Sequence, residues 1–192
     1  MTSRRRFLRT AAVTAAAAPL PVLAAPAVGA ERWSGHWPDR LKEAVVRAVP
    51  VAVEWARPAR WPFGAVLVDA DGGEVVAGAR NTSERSGDST EHAELNLLRQ
   101  AAAAGYDLSA HVVVSTAEPC PMCAGALVWS GVRGVAYGTS VRGLIGFGVP
   151  QIDVSCDLVV RRSLLPHPPA LGRGIRTDLT DPLYQNLARH TR

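Results

Sequence analysis

Apolar side chains at helical spacing mark the first element of the chain after residue 38. Between Asp39 and about Ala56 they recur every three or four residues, which predicts an amphipathic helix. These apolar positions are Leu41, Val45, Ala48 and Ala52. Pro50 is expected to kink or split the helix, because proline lacks a backbone N–H and its ring crowds the preceding turn. Residues 33–38 have no periodic pattern and are interpreted as a linker.

A β-hairpin and a polar loop are predicted to follow. Residues 63–69 form a mainly apolar run typical of a strand, and residues 74–79 form its partner. The Asp-Gly-Gly sequence at residues 71–73 supplies the small residues that a tight turn requires. Residues 81–89 are polar, so we expect a loop there.

Two further helices are predicted from their start and stop signals. Thr90 has the side chain of an N-cap residue and precedes a helical pattern over residues 91–104, which Gly105 ends. The second helix starts at a pair of prolines and is closed by a glycine, namely Pro119, Pro121 and Gly131. Both helices therefore begin directly after polar or strand-end sequence.

The remaining pattern predicts strands and a terminal helix. Residues 111–116 predict a short buried strand, residues 132–139 the next one, and residues 158–162 a fifth. A last helix is expected to start at Asp181 and to end near Arg189. The order helix, hairpin, helix, strand, helix, strand predicts a three-layer α/β/α fold around a central mixed five-stranded sheet.

The first thirty residues differ from the rest and resemble an export signal. Arginines occupy positions 4, 5, 6 and 9, and an uncharged, alanine-rich stretch follows. Because the basic run leads into Phe7 and Leu8, it is similar to a twin-arginine signal. We therefore expect cleavage after Ala30, with Ala25 as second choice, and a periplasmic or secreted protein whose domain is residues 31–192. The alternative is an N-terminal membrane anchor, although prolines interrupt the run and alanine is weakly apolar.

The charge of the chain is concentrated in this leading segment. The whole chain has 21 basic and 17 acidic residues, and four of the arginines lie in residues 1–30, which contain no acidic residue. The remainder is therefore balanced in charge, whereas proteins that bind nucleic-acid polymers have a basic surface. The sequence disfavours a polymer as partner, and no segment after residue 30 predicts a membrane span.

His92, Glu94, Cys120 and Cys123 form a candidate zinc site at the starts of the two predicted helices. The cysteines are three residues apart, so their sulfurs share one helix face, and a helix N-terminus favours the thiolates that zinc binds. Three protein ligands leave a fourth position for water, which is the catalytic pattern, and Glu94 can then carry protons. A structural zinc knuckle, with Cys156 as a fourth ligand, and a redox pair are the alternatives.

These half-motifs resemble the cytidine and deoxycytidylate deaminase superfamily, most closely its guanine, cytosine and tRNA-adenosine branch. The resemblance covers roughly residues 41–160 and is carried by Pro-Phe-Gly-Ala at 62–65, Asn81, Thr-Glu-His-Ala-Glu at 90–94 and Glu-Pro-Cys-Pro-Met-Cys-Ala-Gly-Ala at 118–126. It implies a cytidine deaminase-like fold and a zinc-dependent hydrolase that releases ammonia from a ring amidine, with Glu94 active in both proton steps.

The resemblance also implies roles for three residues beyond the metal set. Asn81 is expected to bind the base or sugar, the backbone N–H of Ala93 to meet a ring carbonyl, and Phe63 to form a wall of the pocket. Asn81 as a simple turn residue is the alternative, since asparagine is common in loops. Members of this superfamily commonly form homodimers or larger homo-oligomers, which is expected here as well.

The substrate is expected to be a free nucleobase or nucleoside, with a purine such as guanine favoured. The sequences at residues 88–92 and 145–147 resemble guanine deaminases, but residues 148–152 lack the acidic residues usual in those enzymes. A tRNA-adenosine deaminase shares the zinc motifs, although export and neutral charge argue against it. A non-catalytic zinc domain for binding or assembly is the other alternative, and it would have no need of Glu94.

Overall fold

A mixed six-stranded sheet lies between two layers of helices in the computed structural model, which describes residues 31–185 and Leu187. The strands are β1 (Arg32–Ser34), β2 (Gly64–Asp69), β3 (Val75–Arg80), β4 (His111–Ala117), β5 (Gly134–Thr139) and β6 (Ala170–Arg173). The helices are α1 (Asp39–Ala56), α2 (Ser83–Ser86), α3 (Ala93–Ala103), α4 (Pro121–Trp129), α5 (Val141–Gly146), α6 (Cys156–Arg162) and α7 (Thr177–Tyr184). A 3₁₀ turn, Leu108–Ala110, precedes β4.

The strand order is β1-β6-β5-β4-β2-β3, with β4, β5 and β6 parallel to one another and the other neighbours antiparallel. The three-layer mixed fold is thereby confirmed, but the sheet has six strands rather than the five that were predicted. The predicted signal segment and its cleavage sites lie outside the described residues, as does Arg189. Among residues 31–185 and Leu187, no helix has the length and apolar character required to cross a membrane.

The central strand β4 is completely buried and supplies side chains to both hydrophobic cores. Val113 faces the core formed with α3, α4 and α6, whereas Val112 and Val114 face the core formed with α1 and α7. The alternation follows from the two-residue period of a strand. A parallel strand covered on both faces is expected to be continuously apolar, as the run of valines indicates.

Helix α1 is continuous through Pro50, so the predicted split is wrong. Pro50 is exposed, and water can therefore replace the backbone hydrogen bond that proline cannot donate. The opposite face of the helix is buried on both sides of Pro50, from Leu41 to Ala56. This packing keeps the two halves of the helix aligned on the sheet.

Two local predictions at the edges of the domain are wrong. Within the expected linker, Trp33 pairs with Gly172 of β6, so residues 32–34 form an edge strand. Residues 158–162, predicted as a strand, belong to helix α6, where the Ser155 hydroxyl accepts a hydrogen bond of 3.1 Å from the Leu158 N–H. A five-residue apolar run does not distinguish strand from helix, and the N-cap decides here.

The segment after residue 162 contains a strand that was not predicted, β6, and a helix, α7, that begins before its predicted start. β6 is only four residues long and pairs with β5 in parallel. Helix α7 begins at Thr177, not at Asp181, and contains Pro182 in its interior. The sequence pattern also missed α5, which Ser140 caps by accepting a hydrogen bond of 3.0 Å from the Gly143 N–H.

Candidate metal site

The three predicted metal ligands lie together at the N-termini of α3 and α4. His92 is the N-cap residue of α3, Cys120 is the N-cap residue of α4, and Cys123 lies in the first turn of α4. α3 begins at Ala93 rather than at the predicted Glu91, so His92 stands immediately outside the helix with an extended backbone. The helix starts therefore place one imidazole and two thiols at the same point.

The distances among these donors match the geometry of a tetrahedral zinc ion. His92 Nδ1 lies 3.6 Å from the sulfur of Cys120 and 3.6 Å from that of Cys123. A tetrahedral zinc with ordinary Zn–N and Zn–S bonds holds a nitrogen and a sulfur about 3.6 Å apart. All three donor atoms lie within 4.8 Å of one another. The donor set and its spacing therefore fit zinc.

The same three side chains are electrostatically coupled. A hydrogen bond from the Cys123 thiol, helped by one from His92, lowers the pKa of Cys120 to about 4 despite its burial. That bond to Cys120 and burial raise the pKa of Cys123, and the bond to Cys120 raises the pKa of His92. One thiolate is thus already favoured at Cys120, in the charge state that a metal ligand requires.

Glu94 lies in the first turn of α3 with its carboxyl group beside the cluster. Its side chain is buried, and Ser115 on β4 donates a hydrogen bond of 2.7 Å to Glu94 Oε1. Burial raises the pKa of Glu94, while the hydrogen bond from Ser115 acts in the opposite direction. A carboxyl group whose pKa is raised toward neutrality is suited to accept and release a proton.

Asn81 and Phe63 are neighbours, connected by a backbone hydrogen bond of 3.0 Å from Asn81 N to Phe63 O. Asn81 is buried, and its Oδ1 accepts hydrogen bonds from both the N–H and the hydroxyl of Ser83. Asn81 thus forms a local turn with Ser83. Asn81 also lines a cavity of about 380 Å³, whose lining residues do not include the metal cluster. The predicted contacts of Asn81 and Phe63 with a substrate remain predictions.

Ala93 is completely buried and is the first residue of α3. The backbone N–H of a first helical residue has no intrahelical acceptor, so this group is available to a ligand in principle. Its predicted contact with a ring carbonyl stays a prediction.

Three residues that contact the predicted site residues were not predicted from the sequence, namely Ser115, Thr116 and Tyr184. Tyr184 on α7 is completely buried, stacks on Phe63 with ring centroids 5.0 Å apart, and donates a hydrogen bond of 2.8 Å to Thr116 Oγ1. Two hydroxyl residues at the end of an otherwise apolar strand were the available signal for Ser115 and Thr116. Nothing in the pattern near Tyr184 indicated its contact with Phe63.

One candidate ligand from the sequence lies away from the cluster. Cys156 is buried at the start of α6 and does not belong to the group of potential metal ligands found among the described residues. Cys156 as a fourth zinc ligand is therefore not supported.

Comparison with protein families matches residues 39–139 to the cytidine and deoxycytidylate deaminase zinc-binding region. The tRNA(Ile)-lysidine synthase of Deinococcus radiodurans is 44% identical over 117 residues, which are 59% of this chain and 20% of the synthase. The guanine deaminase of Bacillus subtilis is 37% identical over 94 residues, which are 47% of this chain and 59% of that enzyme. The chain thus spans less than two thirds of either relative.

A solved structure of guanine deaminase from Nitrosomonas europaea has the same fold. It superposes with a TM-score of 0.64 and 23% sequence identity, over 80% of this chain and 94% of the other. At this level of identity the similarity concerns the arrangement of strands and helices. The match to the family region, in contrast, includes the residues that carry the cluster.

Proposed function

Because the chain belongs to the cytidine and deoxycytidylate deaminase family, we propose that it is a zinc-dependent hydrolase that removes an amino group from a free nucleobase or nucleoside and releases ammonia. The observation that carries this proposal is the convergence of His92, Cys120 and Cys123 beside the buried carboxyl group of Glu94. A binding module needs the three ligands but not the carboxyl group.

His92, Cys120 and Cys123 would hold the ion, and three protein ligands are the number found in catalytic zinc sites. Zinc in such a site makes a water molecule acidic enough to act as a nucleophile at neutral pH. One of the three donors already has the charge state of a metal ligand, since Cys120 favours the thiolate.

Glu94 performs the proton transfers in this proposal. It accepts a proton from the attacking water and later donates it to the departing amino nitrogen, so that ammonia leaves as a neutral molecule. The hydrogen bond from Ser115 holds Glu94 Oε1 in place for this role. Burial supports the transfer because it brings the pKa of Glu94 closer to neutrality.

A purine base, with guanine as first choice, is the proposed substrate. The similarity to the guanine deaminase of Bacillus subtilis supports this choice, together with the Asp-Ser-Thr-Glu-His sequence at residues 88–92. Asn81 and Phe63, which lie side by side, are the proposed contacts for the base, with the N–H of Ala93 as a further donor. The absence of acidic residues at positions 148–152 makes cytosine and adenine necessary comparisons.

A tRNA-directed reaction is the second candidate, and the similarity to a tRNA(Ile)-lysidine synthase is the observation that favours it. The charge balance of the chain after residue 30 argues against a polyanionic substrate.

We also propose export through the twin-arginine signal and assembly as a homodimer or larger homo-oligomer. For export, the support is the arginine-rich sequence of residues 1–30.

Ammonia release from guanine, cytosine, adenine, their nucleosides and a tRNA transcript tests the proposal. The zinc-loaded wild-type protein and a zinc-loaded Glu94→Ala variant are compared, with zinc content measured on both. We expect turnover of a free base or nucleoside by the wild type only. If none of these compounds is turned over, or if Glu94→Ala keeps full activity, the proposed deaminase activity is refuted.

A further inference from the structure

Glu118 is a buried carboxylate that connects three elements, α5, α6 and β5, close in sequence to Cys120. Its oxygens accept hydrogen bonds of 2.8 Å each, one from the N–H of Val141 and one from the N–H of Cys156. Val141 and Cys156 are the first residues of α5 and α6, where backbone N–H groups have no intrahelical acceptor. The backbone N–H of Glu118 donates a bond of 2.7 Å to Thr139 O, at the end of β5.

The surroundings of Glu118 leave it little freedom to move. The side chain is 6% exposed, and the pKa of the buried Tyr137 is raised by burial and by the adjacent charge of Glu118. Three hydrogen bonds thus hold Glu118: its carboxylate accepts two, and its backbone N–H donates the third to Thr139 O on β5. Because a carboxylate accepts bonds at both oxygens, a glutamine could not satisfy both helix N–H groups.

The connection from Glu118 to the metal ligands is short and stiff. Only Pro119 separates Glu118 from Cys120, and Pro119 is itself buried. Proline fixes its own backbone and restricts the residue before it, so a displacement of Glu118 is transmitted to Cys120. Pro121 on the other side restricts Cys120 in the same way.

We propose that Glu118 is a positioning residue that holds the Cys120 sulfur at bonding distance from the ion shared with His92 and Cys123, and thereby sets the affinity of the site for zinc. The proposal rests on the zinc site of the proposed function, but not on any particular substrate. Glu118 is not one of the three clustered residues, and in this proposal it acts through the backbone of Cys120.

A purely structural role for Glu118 would act through the stability of α5 and α6, and the chain offers matched controls for that case. Ser140 and Ser155 cap the same two helices through their own hydroxyl groups. The double variant Ser140→Ala/Ser155→Ala therefore weakens both helix starts and leaves Glu118 intact. If Glu118→Gln lowers zinc affinity more than this double variant does, the additional loss is due to the displacement of Cys120.

The experiment measures zinc affinity of the full chain by competition with a chromophoric chelator, and the visible absorption spectrum of the Co²⁺-loaded protein. Glu118→Gln is expected to weaken zinc binding about ten- to a hundredfold, the range for residues that orient metal ligands. It is also expected to shift the Co²⁺ bands, because the Cys120 sulfur moves. The serine double variant should lower the unfolding temperature, with zinc affinity within about twofold of the wild type.

Val141→Pro provides a second variant in case Glu118→Gln does not fold. It deletes one N–H donor to Glu118 at the first position of α5, where proline is well tolerated, and Ser140 already has the extended backbone that precedes proline. A smaller loss of zinc affinity is expected. Wild-type zinc affinity and Co²⁺ spectrum in the folded variants, or an equal loss in the serine double variant, would overturn the proposal. A wild-type protein that binds no zinc would instead refute the proposed function.

Discussion

Ser115 donates a hydrogen bond of 2.7 Å to Glu94 Oε1, and thereby connects the central strand β4 to the first turn of α3. Both residues are buried. The bond orients the carboxyl group beside the metal cluster without occupying both of its oxygens. The proposed proton carrier is thus fixed from the sheet and not only from its own helix.

Replacement of Glu94 by glutamine is expected to reduce kcat by about a hundredfold to ten-thousandfold, because the amide keeps the size of the side chain but cannot carry the proton. Zinc content should stay at the wild-type level, since Glu94 is not one of the three ligands. Ammonia release and metal analysis on the same samples check both statements. Unchanged kcat in the zinc-loaded variant contradicts the assigned role.

Ser115→Ala is expected to lower kcat less than Glu94→Gln does, and to reduce the free energy of unfolding by about 1–3 kcal/mol, because it leaves a buried carboxyl oxygen without its donor. Ammonia release and urea unfolding measure the two effects. Ser130→Ala is the control, since it removes a hydroxyl bonded to Leu127 O at the opposite end of α4. Equal kcat in the two variants would show that the orientation of Glu94 does not depend on Ser115.

Removal of a metal ligand is expected to abolish stable zinc binding. Cys123→Ser deletes one of the two sulfurs that lie 3.6 Å from His92 Nδ1, and the remaining two ligands form an incomplete site. Metal analysis after dialysis against a weak chelator gives the readout. Cys156→Ala is the matched control, a buried cysteine outside the cluster, and it should retain zinc. Zinc loss in the control alone would reverse the ligand assignment.

Tyr184→Phe is expected to lower the free energy of unfolding by about 1 kcal/mol, the net contribution of one hydrogen bond. Tyr184→Ala should cost about 3–5 kcal/mol, as expected for loss of a buried aromatic ring. Since the ring stacks on Phe63, the alanine variant should also raise KM more than it lowers kcat. Urea unfolding and steady-state kinetics test these values. An unchanged KM would contradict the proposed contact of Phe63 with the substrate.

The turn between β2 and β3 is expected to lose stability in acid. A hydrogen bond from the backbone N–H of Gly72 lowers the pKa of Asp69 below its ordinary value of 3.8. The backbone N–H of Asp71 and the charge of His111 act in the same direction. Its stabilising contribution is therefore present above about pH 4 and is lost as the pH falls through the lowered pKa. The difference in unfolding free energy between the wild type and Asp69→Asn should shrink from pH 6 to pH 2. A difference that is constant with pH would contradict this assignment.

The cluster of His92, Cys120 and Cys123 could be predicted from sequence because the spacing within each half of it is local. His92 with Glu94, and Cys120 with Cys123, each lie within one helical turn, and each pair follows polar or strand-end sequence. The order of strands and helices then brings the two turns together. The helical pattern of α3 and the run of three valines in β4 are strong local signals, and both elements lie close to their predicted positions.

The wrong predictions concern short elements, and the contacts that were not predicted join residues far apart in the sequence. β6 has four residues, and its pairing with β5 becomes visible only when both strands are placed in the sheet. The partners of Glu118 are 23 and 38 residues away, and that of Tyr184 is 68 residues away. No local pattern encodes such contacts. For α6, a serine cap outweighed the short apolar run that suggested a strand.

Because side chains alternate along β4, two adjacent residues contact opposite faces of the sheet and hold different elements. Ser115 points toward α3 and reaches Glu94, while Thr116 points the other way and bonds with Gly64 and Tyr184. Inserting or deleting one residue within this strand would exchange the two faces. Glu94, the proposed proton carrier, would then lose its hydrogen bond to the sheet in the same event that releases α7. Length changes inside β4 should thus be far less tolerated than substitutions.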